Sequence, residues 1–239
     1  SGSTLDKAQA AYQSGDYATA TQLYLQFVEA SNSNASVYHN LGLSFDRQKE
    51  LGPAVAAYLR AVQLQPRQGD FQYNLHFLLS QAADKLDNNF PLSPAARILV
   101  GRWASERELF YGAVALLIFT AGFLSYGILR TRFRKSSLNV GGVFLALTLY
   151  VSVSLLYKLN VSVDQGAVSA HKLEAYSGPT QSVVIFELHA GAPFQIVDTS
   201  GDWVKIELSD QKRGWVRKEG VTSFGRDQII PPPHVSSKS

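Results

Sequence analysis

The chain has 239 residues and no cysteine. Disulfides, thiol nucleophiles, thiolate metal sites and a lipid-modified N-terminal cysteine are therefore excluded within it. The compartment stays open, because a fold without disulfides can live on either side of a membrane. Methionine is also missing, and the chain begins SGSTLDKAQA. Small polar residues of this kind are expected at a mature N-terminus left by signal peptidase. Charge of one sign is scarce in excess: the net charge is +3, and four of the positive charges fall within Arg130 to Lys135. That balance gives no reason to expect a nucleic-acid partner. The five histidines, at 39, 76, 171, 189 and 234, lie in unrelated segments with no pair at ligand spacing. There is no phosphate loop, no nucleophile elbow and no carboxylate pair set in an apolar run. Asp84, Asp87, Glu106 and Glu108 read as solvated surface charge. No catalytic residue, metal or cofactor is expected.

Charge vanishes altogether from two runs. Residues 109–129 read LFYGAVALLIFTAGFLSYGIL and residues 138–157 read LNVGGVFLALTLYVSVSLLY, with no Asp, Glu, Lys, Arg or His in either. At 1.5 Å per residue, about 20 helical residues span roughly 30 Å, the thickness of a bilayer's hydrocarbon core. The pair reads as two transmembrane helices joined by a short loop, residues 130–137, that carries Arg130, Arg132, Arg134 and Lys135. A hairpin puts the flanking segments on one side of the membrane, and the concentration of positive charge assigns the loop to the cytoplasm. Both flanking segments are then expected in the periplasm of a bacterial inner membrane. A membrane helix that relays protons or ions needs an ionisable residue inside it, so a transport role is not expected. Ala121 with Ser125, and Gly142 with Ala146, are small-residue pairs suited to close helix packing, either within the hairpin or against a partner protein.

Residues 1–90 carry a repeat. Ala54 and Tyr58 follow Ala20 and Tyr24 at an interval of 34 residues. In the second unit Tyr38, Leu41, Gly42, Phe45, Ala54, Tyr58, Ala61 and Pro66 occupy the positions of the tetratricopeptide pattern. Gly42 and Ala54 are small where two helices must approach. The first unit, with its Gly15-Asp16-Tyr17 turn, is looser, as a capping repeat tends to be. A third front helix continues through Tyr73, Asn74, Leu75 and Leu79. About 2.5 repeats, or five helices, are expected. The front helices of such a stack line a partner-binding groove, for which Tyr12, His39, Asn40, Asp46, Tyr73 and Asn74 are the candidates. The basic clamp by which some members of the family grip a C-terminal carboxylate is missing apart from Asn40. The alternative is that the stack serves as a packing surface for one fixed partner.

Residues 91–108 form a linker in which Pro91 and Pro94 end the helical stack. Ile98, Leu99 and Trp103 within it fit an interfacial helix or a plain lead-in to the first membrane helix. Beyond the hairpin the period changes to two: Trp203, Lys205 and Glu207 alternate with Val204, Ile206 and Leu208. Short strands and glycine-containing turns over residues 165–224 read as a small barrel. Leu188-His189-Ala190-Gly191, Gly201-Asp202-Trp203-Val204-Lys205-Ile206 and Gly214-Trp215-Val216 closely resemble the signatures of a bacterial SH3 domain. That resemblance implies a docking or wall-binding module, with Trp203 and Trp215 as ligand candidates; the competing reading makes either tryptophan a core residue, Trp215 before Trp203. The tail, residues 225–239, ends PPPHVSSKS and is expected to lack order.

The fold class expected is thus a multidomain membrane protein: an all-α tetratricopeptide stack, a two-helix transmembrane hairpin and a small all-β SH3-like barrel. In this order the segments resemble the aerotolerance operon protein E family, BatE, over essentially the whole chain. The resemblance implies a non-enzymatic partner of the Bat proteins A, B and D, which carry von Willebrand type A domains, and of a MoxR-type ATPase across the membrane. Envelope stress tolerance or assembly is the implied role. A peptidoglycan-binding sensor acting through the SH3 module is the alternative, and a part in building a secretion or pilus machine is a third reading.

Overall fold

The computed structural model describes residues 3–30, 34–86, 106–129, 134–161, 164–180, 183–225 and 228–229. Ile98, Leu99 and Trp103 of the linker, Arg130 and Arg132 of the basic loop, and nearly all of the tail lie outside these residues. The chain divides into two compact units, residues 1–91 with 163–239, and residues 92–162.

In the first unit five helices follow one another: α1 (Thr4–Gln13), α2 (Tyr17–Ala30), α3 (Ala35–Arg47), α4 (Leu51–Leu64) and α5 (Gly69–Gln81). Local chemistry sets their starts. Ser3 and Asp6 form a reciprocal capping box at α1. Asp16 accepts a hydrogen bond from the Thr19 amide at α2, and Asn34 accepts from Ser36 and Val37 at α3. Gly15, at φ +84°, makes the left-handed turn between α1 and α2. Each helix packs on the next, and Tyr24, Tyr38, Leu41, Tyr58 and Leu75 are fully buried between them. A β-carbon at Gly42 would stand 3.0 Å from the Tyr58 ring, so the close approach expected of the repeat is required there. This is a tetratricopeptide-type helical stack.

The same unit contains seven strands: β1 (Gln165–Val168), β2 (Lys172–Tyr176), β3 (Val184–His189), β4 (Pro193–Ser200), β5 (Trp203–Glu207), β6 (Arg213–Arg217) and β7 (Val221–Ser223). They form one antiparallel sheet in the order β3-β2-β6-β5-β4-β1-β7. The apolar alternation falls where period two puts it: Val204, Ile206 and Val216 point inward with Phe194, Leu188 and Val221 to make a small core. Ile229 bridges back to Ser223, which ties the start of the tail to β7.

Stack and barrel are joined. Ala167 of β1 and Phe224, just past β7, belong to the hydrophobic core of the stack. Phe224 is fully buried with its ring 5.8 Å from that of Tyr38. A β-carbon at Gly52 would overlap the Val168 carbonyl oxygen and lie 2.6 Å from the Ser169 Cα, so α4 meets the β1 backbone directly. At the other end of the seam, Gly191 holds φ +87° with Leu51 and Ala82 against it. Asp84 accepts a 2.6 Å hydrogen bond from the His189 amide and stands 3.1 Å from the same residue's imidazole Nδ1.

The second unit holds α6 (Glu106–Leu129) and α7 (Arg134–Val161). Both are long and apolar enough to cross a membrane, and only 11% and 17% of their most apolar windows are buried by protein. Helix α6 starts three residues ahead of the charge-free run, and α7 starts four ahead of the second, with Arg134 and Lys135 in its first turn. The helices pack along their length. Phe123 and Phe144 stack at 5.5 Å, and a β-carbon at Gly141 would come 2.9 Å from Leu124. Thr120 and Thr148 face each other at 3.3 Å, and each hydroxyl also donates to a carbonyl one turn back in its own helix. The Thr120 and Thr148 hydroxyls inside the seam are thereby satisfied without water, as hydrocarbon surroundings would demand.

Candidate functional site

One cavity of about 270 Å³ opens in the stack, lined by Leu43, Asp46, Tyr58, Tyr73, Asn74, Phe77 and Leu78 from α3, α4 and α5. Helix α5 positions its rim. Phe71, Leu75, Leu78 and Leu79 face inward, which turns Tyr73 and Phe77 outward on the opposite side. These two rings stack at 6.5 Å, 10° from parallel, yet stay 69% and 51% exposed. Such a pair is uncovered apolar surface.

Behind the rim lies a polar network. Asn74 bonds the His39 ring at 2.9 Å, and His39 stacks on Phe71 with its centroid 4.7 Å away. Burial lowers the His39 pKa, only partly opposed by a hydrogen bond to Asn40 and by the field of Asp70. The ring is therefore held neutral. Tyr58 closes the floor; burial, and next the charge of Asp46, push its hydroxyl well above the ordinary phenol range. The neighbouring Tyr12 side chain pushes the Arg47 pKa above its ordinary value.

Asp46, Tyr73 and Asn74 thus line the cavity itself. His39 reaches it through Asn74, and Asn40 through His39. Asn40 also bonds the Tyr24 hydroxyl, so its side chain is engaged inside the stack. Tyr12 sits further along, edge-on to Tyr17 at 5.3 Å and joined to Arg47. The sequence reading overlooked Phe77, Leu43 and Arg47. Phe77 was accessible to it, since a residue four places after Tyr73 shares its helix face.

The barrel carries a second patch. On the outer face of β5 and β6, Trp203 opposes Arg217, Lys205 opposes Trp215 and Glu207 opposes Arg213. Each opposed pair interacts: the Arg217 guanidinium lies 4.7 Å from the Trp203 centroid, Lys205 Nζ 5.9 Å from that of Trp215, and Arg213 pairs with Glu207 at 2.8 Å. Tyr176 meets Trp203 edge-on at 5.5 Å. Trp203 is 8% exposed, while Trp215 is half-buried. The relative burial of the two tryptophans is the reverse of the expectation. Trp203 sits at the start of β5, where the Tyr176 ring and Arg217 pack on it, whereas Trp215, flanked by Lys205 on β5 and Tyr176 on β2, stays half-buried.

In the hairpin, Ala121, Ser125, Gly142 and Ala146 are all exposed on the outer surface, and a β-carbon at Gly142 would meet nothing. The seam uses Gly141, Thr120, Phe144 and Thr148 instead. Lys135 is exposed at the start of α7.

Residues 170–222 match the family described as bacterial SH3 domain. The strands β2 to β7 fall within or across this span, and the barrel is a bacterial SH3 domain in fold. Among solved structures, the one described as MamA AMB-1 is similar over 33% of this chain and 43% of its own, at 23% identity and a TM-score of 0.32. The match therefore spans less than half of that structure. No curated protein matches the chain.

Proposed function

We propose that this protein is a non-enzymatic adaptor anchored in a bacterial inner membrane, with the stack and the barrel acting as one periplasmic docking body. The observation that carries the reading is the shared core of stack and barrel, in which Phe224 packs on Tyr38 and the β1 backbone on Gly52. Segments that share a core fold in one compartment, so the two charge-free helices between them cross the membrane an even number of times. The cluster of Arg130, Arg132, Arg134 and Lys135 supports a cytoplasmic turn. An open cavity with uncovered aromatic rings on the stack, and modules of the kind that serve protein interaction, support docking over catalysis.

The finer reading follows the resemblance to the BatE family. The partners are then the Bat proteins A, B and D, with a MoxR-type ATPase reaching only the basic turn, and the role is envelope stress tolerance or assembly. Recovery of the membrane partners in mild detergent tests it. The account expects a defined set of von Willebrand type A proteins to co-purify and to be lost on Tyr73→Ala with Phe77→Ala. Recovery unchanged by that double substitution would remove the groove from the function. A second reading has one observation in its favour: half-buried Trp215 with Lys205 across it is a surface suited to an anionic glycan such as peptidoglycan. Retention on purified peptidoglycan, lost on Trp215→Ala, is its expected result; no retention removes it.

A further inference from the structure

The stack cavity has one ionised group in its lining, and that group is an acid. Asp46 is half-buried, and among the described residues it has neither a hydrogen bond to its carboxylate nor an ion pair. Arg47, the next residue along the chain, interacts first with Tyr12 and Tyr17 and only weakly with Asp46. Beside Asp46 stand the parallel rings of Tyr73 and Phe77, which are flat, exposed and 6.5 Å apart. The Asn74 amide nitrogen donates to His39 Nε2, and Asn74 is part of the cavity lining. The neutral His39 adds no positive charge behind it. A carboxylate with no hydrogen bond or ion pair among the described residues, next to uncovered aromatic faces, asks for a ligand that is both planar and cationic. The guanidinium meets both demands: it stacks on aromatic rings and pairs with a carboxylate through two N–H groups. A lysine ammonium satisfies only the charge, and an acidic or C-terminal segment would be repelled by Asp46.

We infer that the cavity between α3, α4 and α5 takes an arginine side chain from an extended segment of a partner protein, stacked on Tyr73 and Phe77 and paired with Asp46. The inference rests on the groove being a docking site, as proposed above, and adds the chemistry of what docks. A volume of about 270 Å³ suits a single long side chain rather than a helix.

The test uses the full chain in detergent micelles and short fluorescein-labelled peptides that differ only at the central position: arginine, lysine, glutamine or glutamate. Fluorescence anisotropy is expected to rank arginine first and glutamate last. Asp46→Asn should weaken the arginine peptide about tenfold, equivalent to about 1.4 kcal/mol, and Asp46→Arg should turn the preference toward glutamate. Retained helical circular dichroism in both variants shows that the stack still folds. If glutamate or glutamine peptides bind as well as arginine and are lost on Tyr73→Ala, the groove is a docking site but the arginine assignment is overturned. If no peptide binds but Asp46-dependent crosslinks form between two copies, the occupant is a second copy and the partner assignment is overturned. If neither is seen, both the inference and the groove reading fail.

Discussion

Two helices of similar apolar character meet opposite fates in this molecule. In α4, Val55, Ala56, Ala57 and Leu59 are at most 1% exposed. In α6, Leu117, Ile118 and Phe119 are 57%, 66% and 56% exposed. A helix apolar on all sides must be covered by protein or by lipid. Helix α4 is covered by α3 and α5 on one side and by β1 and β7 on another. Among the described residues, helix α6 packs on α7 and its other faces are bare; it is long and apolar enough for a bilayer to cover them. The comparison teaches that apolarity alone does not mark a membrane helix; the difference lies in whether the rest of the chain supplies a cover.

The comparison can be broken from either side. The largest effect is expected at the covered helix. Phe224→Ala removes a fully buried ring at the junction and should destabilise the stack and the barrel together by about 3–5 kcal/mol, read as a lower midpoint in both helical circular dichroism and tryptophan fluorescence. Gly52→Leu, which drives a side chain into the β1 backbone, should cost about 1–3 kcal/mol by overpacking or part the two modules. At the bare helix, Ile118→Arg should penalise membrane insertion by about 2.5–3.5 kcal/mol, read as loss from the membrane fraction, while leaving the soluble body folded. A seam substitution is milder. Thr148→Val breaks the Thr120 contact and should weaken hairpin packing by about 1 kcal/mol, read by crosslinking between α6 and α7.

The smallest effect concerns pH. Burial depresses the pKa of His39 below its ordinary value of 6.5. The unfolded chain then binds the proton more readily than the folded one, so this contribution is intact above about pH 6.5 and fades as pH falls through the unfolded and then the folded value. Thermal melts from pH 7.5 to 5.5 should show a decline that flattens in His39→Gln. An unchanged slope would mean that His39 stays solvated in the fold.

Much of this was legible from residues near one another in the chain. The repeat register found Gly42 at a close helix approach, and alternation around Val204 and Ile206 found the barrel core, because both signals repeat at the period of the element that makes them. The junction was not legible. Tyr38 meets Phe224, and Asp84 meets His189, across separations that no local period records. A trace existed in α4 nonetheless: Gly52, Val55, Ala56 and Leu59 form an apolar stripe beyond what the repeat positions use, and such a stripe needs a cover. The tryptophans were misordered for the same reason, since Trp203 is buried by Tyr176 from a different strand. In the hairpin, small-residue spacing pointed to Ala121, Ser125, Gly142 and Ala146 for packing within the hairpin or against a partner; the seam runs through Gly141 and those four stay on the outer face, since a shift of one residue turns a side chain by 100° about the helix axis. Of the groove, Asp46, Tyr73 and Asn74 were visible from repeat position, but Phe77 and the isolation of the Asp46 carboxylate needed the packing of α3 against α5.

The central claim is that stack and barrel are one body interrupted by a membrane hairpin. Hydrogen exchange of the full chain in lipid nanodiscs, wild type against Tyr38→Ala, tests it most directly. The account predicts that a substitution in the stack lowers protection in β1 and β7 as well as in α3 and α4, with α6 and α7 unchanged. Loss of protection confined to the helices of the stack would contradict it.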